Sequence, residues 1–315
     1  MKPLRPALSR CYHALPTVLS AGTGFCALLH VTVRDRWPVF SMAVYASPPV
    51  VMALVLLVAS ALWVFRRAWR PAIASGGGAL LAVAWWLSTS IVLAPPADGP
   101  APRGLLRGLG WNLQRGKQSW EAVIERIREH DPDVAWFVEA AEEGAPVSPR
   151  WHEALAGYDR REAAGGILFI TKGRIRESRQ WLEGRSSVAE FRVTLRGADI
   201  TVLVADIDGS PWRHRRAAFE VLDAAMAGAP PGPLLVGGDF NTPRNSAFFD
   251  AWRGPMTHAF EARGRGMDGT WPTPIPFLSI DHCWVNDRID VWSCSLPANP
   301  ASDHRPVFVG FEVGK

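Results

Sequence analysis

The side chains best suited to chemistry in this 315-residue sequence stand at the ends of apolar runs. Glu139 closes Val-Ala-Trp-Phe-Val-Glu, and Asp239 and Asn241 close Leu-Leu-Val-Gly-Gly-Asp-Phe-Asn. Asp281 interrupts a third run, and Asp303-His304 precede a fourth. Carboxylates, an amide and an imidazole that converge at the ends of central strands make a hard-cation site with a titratable partner. Phosphoester hydrolysis needs those types: a carboxylate to hold Mg²⁺, a group to position or deprotonate water, and donors for phosphoryl charge. Each residue taken singly also has a structural reading. Glu139 can cap a following helix, Asp239 can hold a Gly-rich turn, and Asp281 can pair with an arginine.

The elements that must position them alternate between short apolar runs and helical segments, the pattern of an α/β domain. Strands are expected at 105–112, 134–139, 166–172, 188–195, 200–208, 234–238, 280–285, 290–296 and 307–313. A helix should start at Ser119 as its cap, with Trp120, Val123, Ile124 and Ile127 on one face, and stop before Pro132. A second is expected over 213–227.

In this order the motifs resemble those of the endonuclease/exonuclease/phosphatase superfamily, which includes DNase I-like nucleases, inositol-phosphate phosphatases and sphingomyelinases. Trp111-Asn112 is similar to the opening W/Y-N element, Val138-Glu139 to a metal-binding Q-E, and Gly238-Asp239-Phe240-Asn241 to G-D-F-N. Ser279-Ile280-Asp281-His282 is similar to R-I-D-Y/H, and Ser302-Asp303-His304-Arg305-Pro306 to S-D-H-R-P. The resemblance covers most of 105–313 and implies a two-sheet α/β sandwich and a metal-dependent phosphoester hydrolase without a covalent enzyme intermediate. It further implies Mg²⁺ or Mn²⁺ on Glu139, helped by Asn112 and Asp303. Asp239 and Asn241 would orient water or bind the phosphoryl group, and His304, oriented by Asp281, would serve as general acid–base or donor. Two positions depart from the pattern: Thr171 stands where the family often has Ser, and Asp206 stands where a histidine is expected. A carboxylate there donates a hydrogen bond only if protonated, so binding metal or pairing with Arg213, His214 or Arg216 is its alternative.

Residues 1–100 differ in composition from the rest. They carry eight Lys/Arg against Asp35 and Asp98, a net of +6, whereas 101–315 has a net of −2, together the +4 of the whole chain. Three low-charge stretches, 15–33, 39–65 and 72–94, each approach the ~20 residues that a helix needs to cross a bilayer. The first could instead be a signal peptide, and all three could be buried helices, although runs without a polar face leave no solvated side. Arg66, Arg67 and Arg70 between the second and third stretches put that loop in the cytoplasm. The domain at 101–315 then faces the extracytoplasmic side, anchored in the cytoplasmic membrane by a multi-pass segment, an arrangement that resembles teicoplanin-resistance-type members of the superfamily.

The charge excess flanks apolar runs, not the catalytic domain, so nucleic acid is disfavoured as a partner although a nuclease stays an alternative. A lipid or lipid-linked phosphoester suits a membrane-tethered enzyme better, and a catalytically inactive binding module is the rival from another class. Four cysteines, Cys11, Cys26, Cys283 and Cys294, lack the spacing of a zinc site. Cys283 and Cys294 could meet across a hairpin, but their offsets from the turn do not place them directly opposite.

Overall fold

The structure is a computed structural model that describes residues 5–141, 151 and 154–314, with side chains from residue 14 onward. The chain divides into two compact units, 1–90 and 91–315.

The first unit is helical: α1 (Arg5–Val31), α2 (Pro38–Ala46), α3 (Pro49–Phe65) and α4 (Trp69–Ser90). Two helices, α1 and α4, are long and apolar enough to cross a membrane. The expected middle span is broken at Pro48-Pro49, where α2 and α3 meet at a bend of 68°, and gives a third crossing if the bent pair counts as one. Proline removes an amide donor and clashes with the preceding turn, which accounts for the break. Small residues let these helices approach closely, with Ala59 and Ala79 buried and Gly76 facing Ser60.

The second unit runs, in chain order, through β1 (Ile91–Leu93), β2 (Leu106–Asn112), α5 (Trp120–His130), β3 (Val134–Val138), β4 (Asp159–Ala163), β5 (Ile167–Thr171), β6 (Arg174–Glu183), β7 (Ser186–Leu195) and β8 (Ala198–Asp206). It continues through α6 (Arg216–Ala227), β9 (Leu234–Asp239), β10 (Met256–His258), α7 (Ala259–Arg263), β11 (Arg265–Met267), β12 (Asp281–Asn286), β13 (Ile289–Ser295) and β14 (Val307–Val313). Two six-stranded mixed sheets result, in the orders β10-β12-β9-β8-β7-β6 and β13-β14-β2-β3-β5-β4, with β1 and β11 as a separate pair. This is the expected α/β sandwich.

The boundary differs from the expected 100/101, and Ile91–Ala94, read above as the end of the third span, leaves the helix. Hydropathy alone does not separate a last helical turn from a short apolar strand, and the pairing of Ile91–Leu93 with β11 decides for the strand. Strands β4 and β6 were not foreseen either. Both are sheet edges rich in Arg and Glu, where charge guards an unpaired edge and erases the apolar alternation.

The core between the sheets joins Trp136, Phe169 and Phe191 with Val204, Leu235 and Phe311. Trp136 is clamped between glycines of both sheets: a Cβ at Gly110 or at Gly237 would fall inside its indole. Outside the sandwich, α5 covers Leu109, Phe137 and Ile170 through Val123 and Ile127, with Ser119 accepting from the Ala122 amide at 3.2 Å. On the opposite face α6 packs Phe219 and Leu222 against Phe240, Phe249 and Trp252. Cys283 and Cys294 are buried and unbridged, small apolar side chains of that core.

Candidate active site

Strand register alone puts three carboxylates side by side. Asp206 ends β8 and Asp239 ends β9 as its parallel partner, while Asp281 opens β12 opposite Asp239. Cross-strand partners share a face, and like charges placed directly opposite are destabilising. Asp239 can reach this row because Gly238 precedes it at φ +140, where any Cβ would run into the Ala205 backbone.

The other sheet contributes from the ends of β2 and β3. Asn112 bridges the sheets by donating its Nδ2 to Glu139 Oε1 at 3.1 Å and to Asp239 Oδ2 at 2.9 Å. Its Oδ1 accepts from the Gln114 amide at 2.9 Å. Asn112 therefore faces Glu139 and Asp239 through its Nδ2. Glu139 (φ 48) and Asn241 (φ 46) both occupy the left-handed region, unusual for residues with a Cβ and frequent at functional sites. Asn241 donates its backbone N–H to Asp239 Oδ1 at 2.9 Å and its Nδ2 to the Ile207 carbonyl at 2.8 Å, which fixes the Asp239 carboxylate and ties the loop to β8.

His304 is set by its own motif. Ser302 Oγ donates to the Asn112 carbonyl at 2.7 Å and accepts from the His304 amide at 3.1 Å, while the Trp111 indole donates to the His304 carbonyl at 2.9 Å. The buried imidazole joins Asp281 Oδ2 through Nδ1 at 2.8 Å and turns Nε2 toward Asp239 Oδ2 at 3.9 Å and Asp303 Oδ1 at 4.0 Å. Asp303 accepts from the Trp271 indole at 3.1 Å.

The electrostatics follow from that crowding. Burial and then the Asp281 charge raise Asp239 to about 7, against the opposing pull of His304 and Asn112. Burial together with Asp239 and Glu139 holds Asp206 well above the usual carboxylate range. Burial also works against a charge on His304, but Asp281, Asp239 and Asp303 outweigh it and push the imidazole up to about 10. His304 is thus an imidazolium around neutrality, with both nitrogens donating. A free histidine titrating near 6.5 is not what this environment provides.

Among the described residues, the carboxylates of Glu139, Asp206, Asp239, Asp281 and Asp303 share this region with His304 and Arg115. Asp281 Oδ1 and Asp303 Oδ1 are buried without a hydrogen-bond partner. Orphaned hard oxygens and excess negative charge fit a divalent cation. Donor atoms of Asp239, Asp281 and His304 also lie within 4.8 Å of one another. Within this trio His304 Nδ1 donates to Asp281 Oδ2 at 2.8 Å.

Two neighbours escaped the sequence reading. Arg115, at φ 57, brings Nε to 3.4 Å from Glu139 Oε2, and only the following Gly116 hints at the turn. Trp271 lies in a proline-rich loop that carried no motif. The pairing of Asp206 with Arg213, held open above, does not form: Arg213 Nε meets Asp208 Oδ2 at 3.3 Å. Behind the site runs a buried relay in which His258 Nδ1 accepts from the Glu261 amide at 3.2 Å, His258 Nε2 meets His282 Nδ1 at 3.1 Å, and His282 Nε2 meets the Thr242 carbonyl at 2.9 Å. Burial lowers His282 to about 4 and His258 well below its ordinary value, so both rings are neutral and each has one possible tautomer.

A sequence profile described as the Endonuclease/Exonuclease/phosphatase family matches residues 109–304, more than half of the chain. The chain belongs to that family. Its members are phosphoester hydrolases that typically depend on a divalent metal, and this chain is one of those hydrolases. Solved structures of the fold include a mannosyl-6-phosphatase of Bacteroides thetaiotaomicron, 17% identical with a TM-score of 0.55, covering 66% of this chain and 99% of that one. The catalytic domain of human Nocturnin with bound sulfate is 18% identical with a TM-score of 0.53, covering 70% and 100%. D. rerio TDP2 complexed with single-strand DNA product is 14% identical with a TM-score of 0.52, covering 66% and 99%. Identities this low establish the shared fold and nothing further. No curated protein matches the chain.

Proposed function

We propose that this hydrolase is anchored in the cytoplasmic membrane, faces the extracytoplasmic side and cleaves a lipid or lipid-linked phosphoester with Mg²⁺ or Mn²⁺. The observation that carries the reaction is the aligned row Asp206–Asp239–Asp281 facing the His304–Asp281 pair. Glu139 would hold the cation, which when bound supplies charge neutralisation at the phosphoryl oxygens and a more acidic water.

The chain's own residues do the rest. Asp239, raised to about 7 and fixed by Asn112 and Asn241, is poised near neutrality to accept a proton from the attacking water. His304 turns its Nε2–H into the cleft to bind the phosphoryl oxygen or the departing one, and Asp281 holds the ring. Asp206, if protonated, donates a hydrogen bond as the expected histidine would. The apolar helices support the membrane assignment, and the −2 net charge of 101–315 favours a substrate other than duplex DNA.

The test is turnover of bis-p-nitrophenyl phosphate by the full chain in detergent, with Mg²⁺ or Mn²⁺ and after chelation, followed by a panel of lipid phosphates and DNA. Glu139→Ala and Asp239→Ala should each abolish metal-dependent hydrolysis while leaving the chain folded. Wild-type turnover by either folded variant would remove the assignment, and inertness of the intact chain on every substrate would favour a binding module.

A further inference from the structure

The last apolar helix and the hydrolase unit are joined without a linker: α4 ends at Ser90 and β1 begins at Ile91. In the antiparallel pairing of β1 with β11, Ile91 lies opposite Met267 and Leu93 opposite Arg265. The chain that leaves β11 after Met267 therefore starts beside the first residue beyond α4. It becomes the segment Gly269–Ile280, Gly-Thr-Trp-Pro-Thr-Pro-Ile-Pro-Phe-Leu-Ser-Ile, twelve residues without a charge.

Residues Trp271 to Thr273 of that segment also border the active site. Trp271 donates to Asp303 at 3.1 Å, the Thr273 amide donates to the Asp303 carbonyl at 2.8 Å, and the Trp271 ring lies 6.4 Å from that of His304. Trp271 stands four positions after Met267, so it lies within roughly 14 Å of the residue that pairs with Ile91. Apolar side chains point outward along the same path. Ile275 is 77% exposed and Leu93 74%, whereas Val92 between Ile91 and Leu93 packs into the core. Arg265, exposed and paired with Leu93, has the long stem and charged head that reach lipid phosphates from an interfacial position.

We propose that β1 and the loop Gly269–Ile280 lie in the interfacial layer of the bilayer, with Ile275 and Leu93 immersed, so that the cleft opens at the membrane surface and takes phosphoesters that stay seated in it. This rests on α4 crossing the membrane and on the hydrolase reading above. A charge-free strap with proline-stiffened turns loses little conformational freedom on docking, and apolar side chains left in water by the fold gain by entering the headgroup boundary. The substrate class is then an amphiphile whose phosphate lies at headgroup depth.

Nitroxide labels on the full chain, reconstituted into phosphatidylcholine vesicles containing phosphatidylglycerol, test the placement directly. In a Cys11→Ser, Cys26→Ser background the labels go on Ile275→Cys, on Leu93→Cys and, as a reference at the opposite end of β8, on Asp199→Cys. Collision with oxygen should dominate at 275 and 93, and collision with a water-soluble nickel chelate at 199. A label at 275 as open to the chelate as that at 199 overturns the proposal, whatever the enzyme's activity. The kinetic arm compares dodecyl 4-nitrophenyl phosphate seated in the same vesicles with soluble bis-p-nitrophenyl phosphate. Ile275→Ser should lower kcat/KM about tenfold on the first, the scale of removing one immersed aliphatic side chain, and leave the second unchanged. Equal effects on both substrates would count against interfacial docking. If the wild type cleaves neither, the hydrolase reading fails while the labels still decide the placement.

Discussion

The buried relay from His258 through His282 to the Thr242 carbonyl makes stability depend on acidity in a way that can be isolated with one substitution, His282→Gln. The ring is held neutral, lowered to about 4 by burial, against an ordinary value of 6.5. A depressed histidine contributes stability that is fully present above 6.5 and is lost as the pH falls toward 4, because the unfolded chain takes up the proton first. At about 1.4 kcal/mol per pH unit, the gap between those values is worth about 3 kcal/mol. Asp239, raised to about 7, acts in the opposite sense: its cost is full above 7 and is relieved as the pH falls, so the net slope of the wild type mixes the two. The difference between wild type and variant separates them. Glutamine can accept from His258 and donate to Thr242, so His282→Gln keeps the relay and removes the titration. Urea unfolding of residues 91–315, followed by tryptophan fluorescence at pH 7.5, 6.5, 5.5 and 4.5, should show the variant gaining about 3 kcal/mol on the wild type across the series. A difference that stays constant within about 0.5 kcal/mol would mean that His282 does not titrate as its burial requires.

His304→Gln should cost roughly 10² to 10⁴ in kcat, the usual scale for acid–base groups, and because His304 is pushed up to about 10, the limb it removes from the pH–rate profile should be the alkaline one. The stabilisation of its pair with Asp281 should be complete below 6.5 and disappear as the pH rises through 10, which chemical denaturation at pH 8 and 10.5 checks. Asp206→His, which relieves the row of like charges, should leave turnover equal or higher, and loss of turnover in the folded variant would make Asp206 itself the working group. Reporter fusions at Gly99 should be bright with alkaline phosphatase and silent with a cytoplasmic reporter, and the reverse pattern would invert the topology.

Most of the sandwich was legible because its central strands are apolar runs whose ends carry the polar residues, and Asn112, Glu139, Asp239, Asp281 and His304 lie together because those ends converge. What could not be read has physical reasons. The edge strands β4 and β6 are charged on the outside, so their period is hidden under arginines and glutamates. Ile91–Leu93 is as apolar as the helix before it and becomes a strand only through β11, a partner more than 170 residues away in sequence. Arg115 and Trp271 reach the cleft from loops, where backbone geometry decides direction and sequence spacing says little. The further upward push on His304 from Asp239 and Asp303 acts through space, across strand ends that sequence order does not place together.

The indole of Trp136 has a consequence for the whole family of sites that could be built on this frame. Gly110 and Gly237, the two glycines that grip it, stand two residues before Asn112 and Asp239, whose side chains meet at 2.9 Å across the sheets. The buried ring is therefore a spacer between the two sheets, two residues below the side chains of Asn112 and Asp239. Shrinking it to phenylalanine would let the strand ends settle inward and change which phosphoester geometry is accepted, whereas any larger residue at either glycine would wedge the two halves of the site apart.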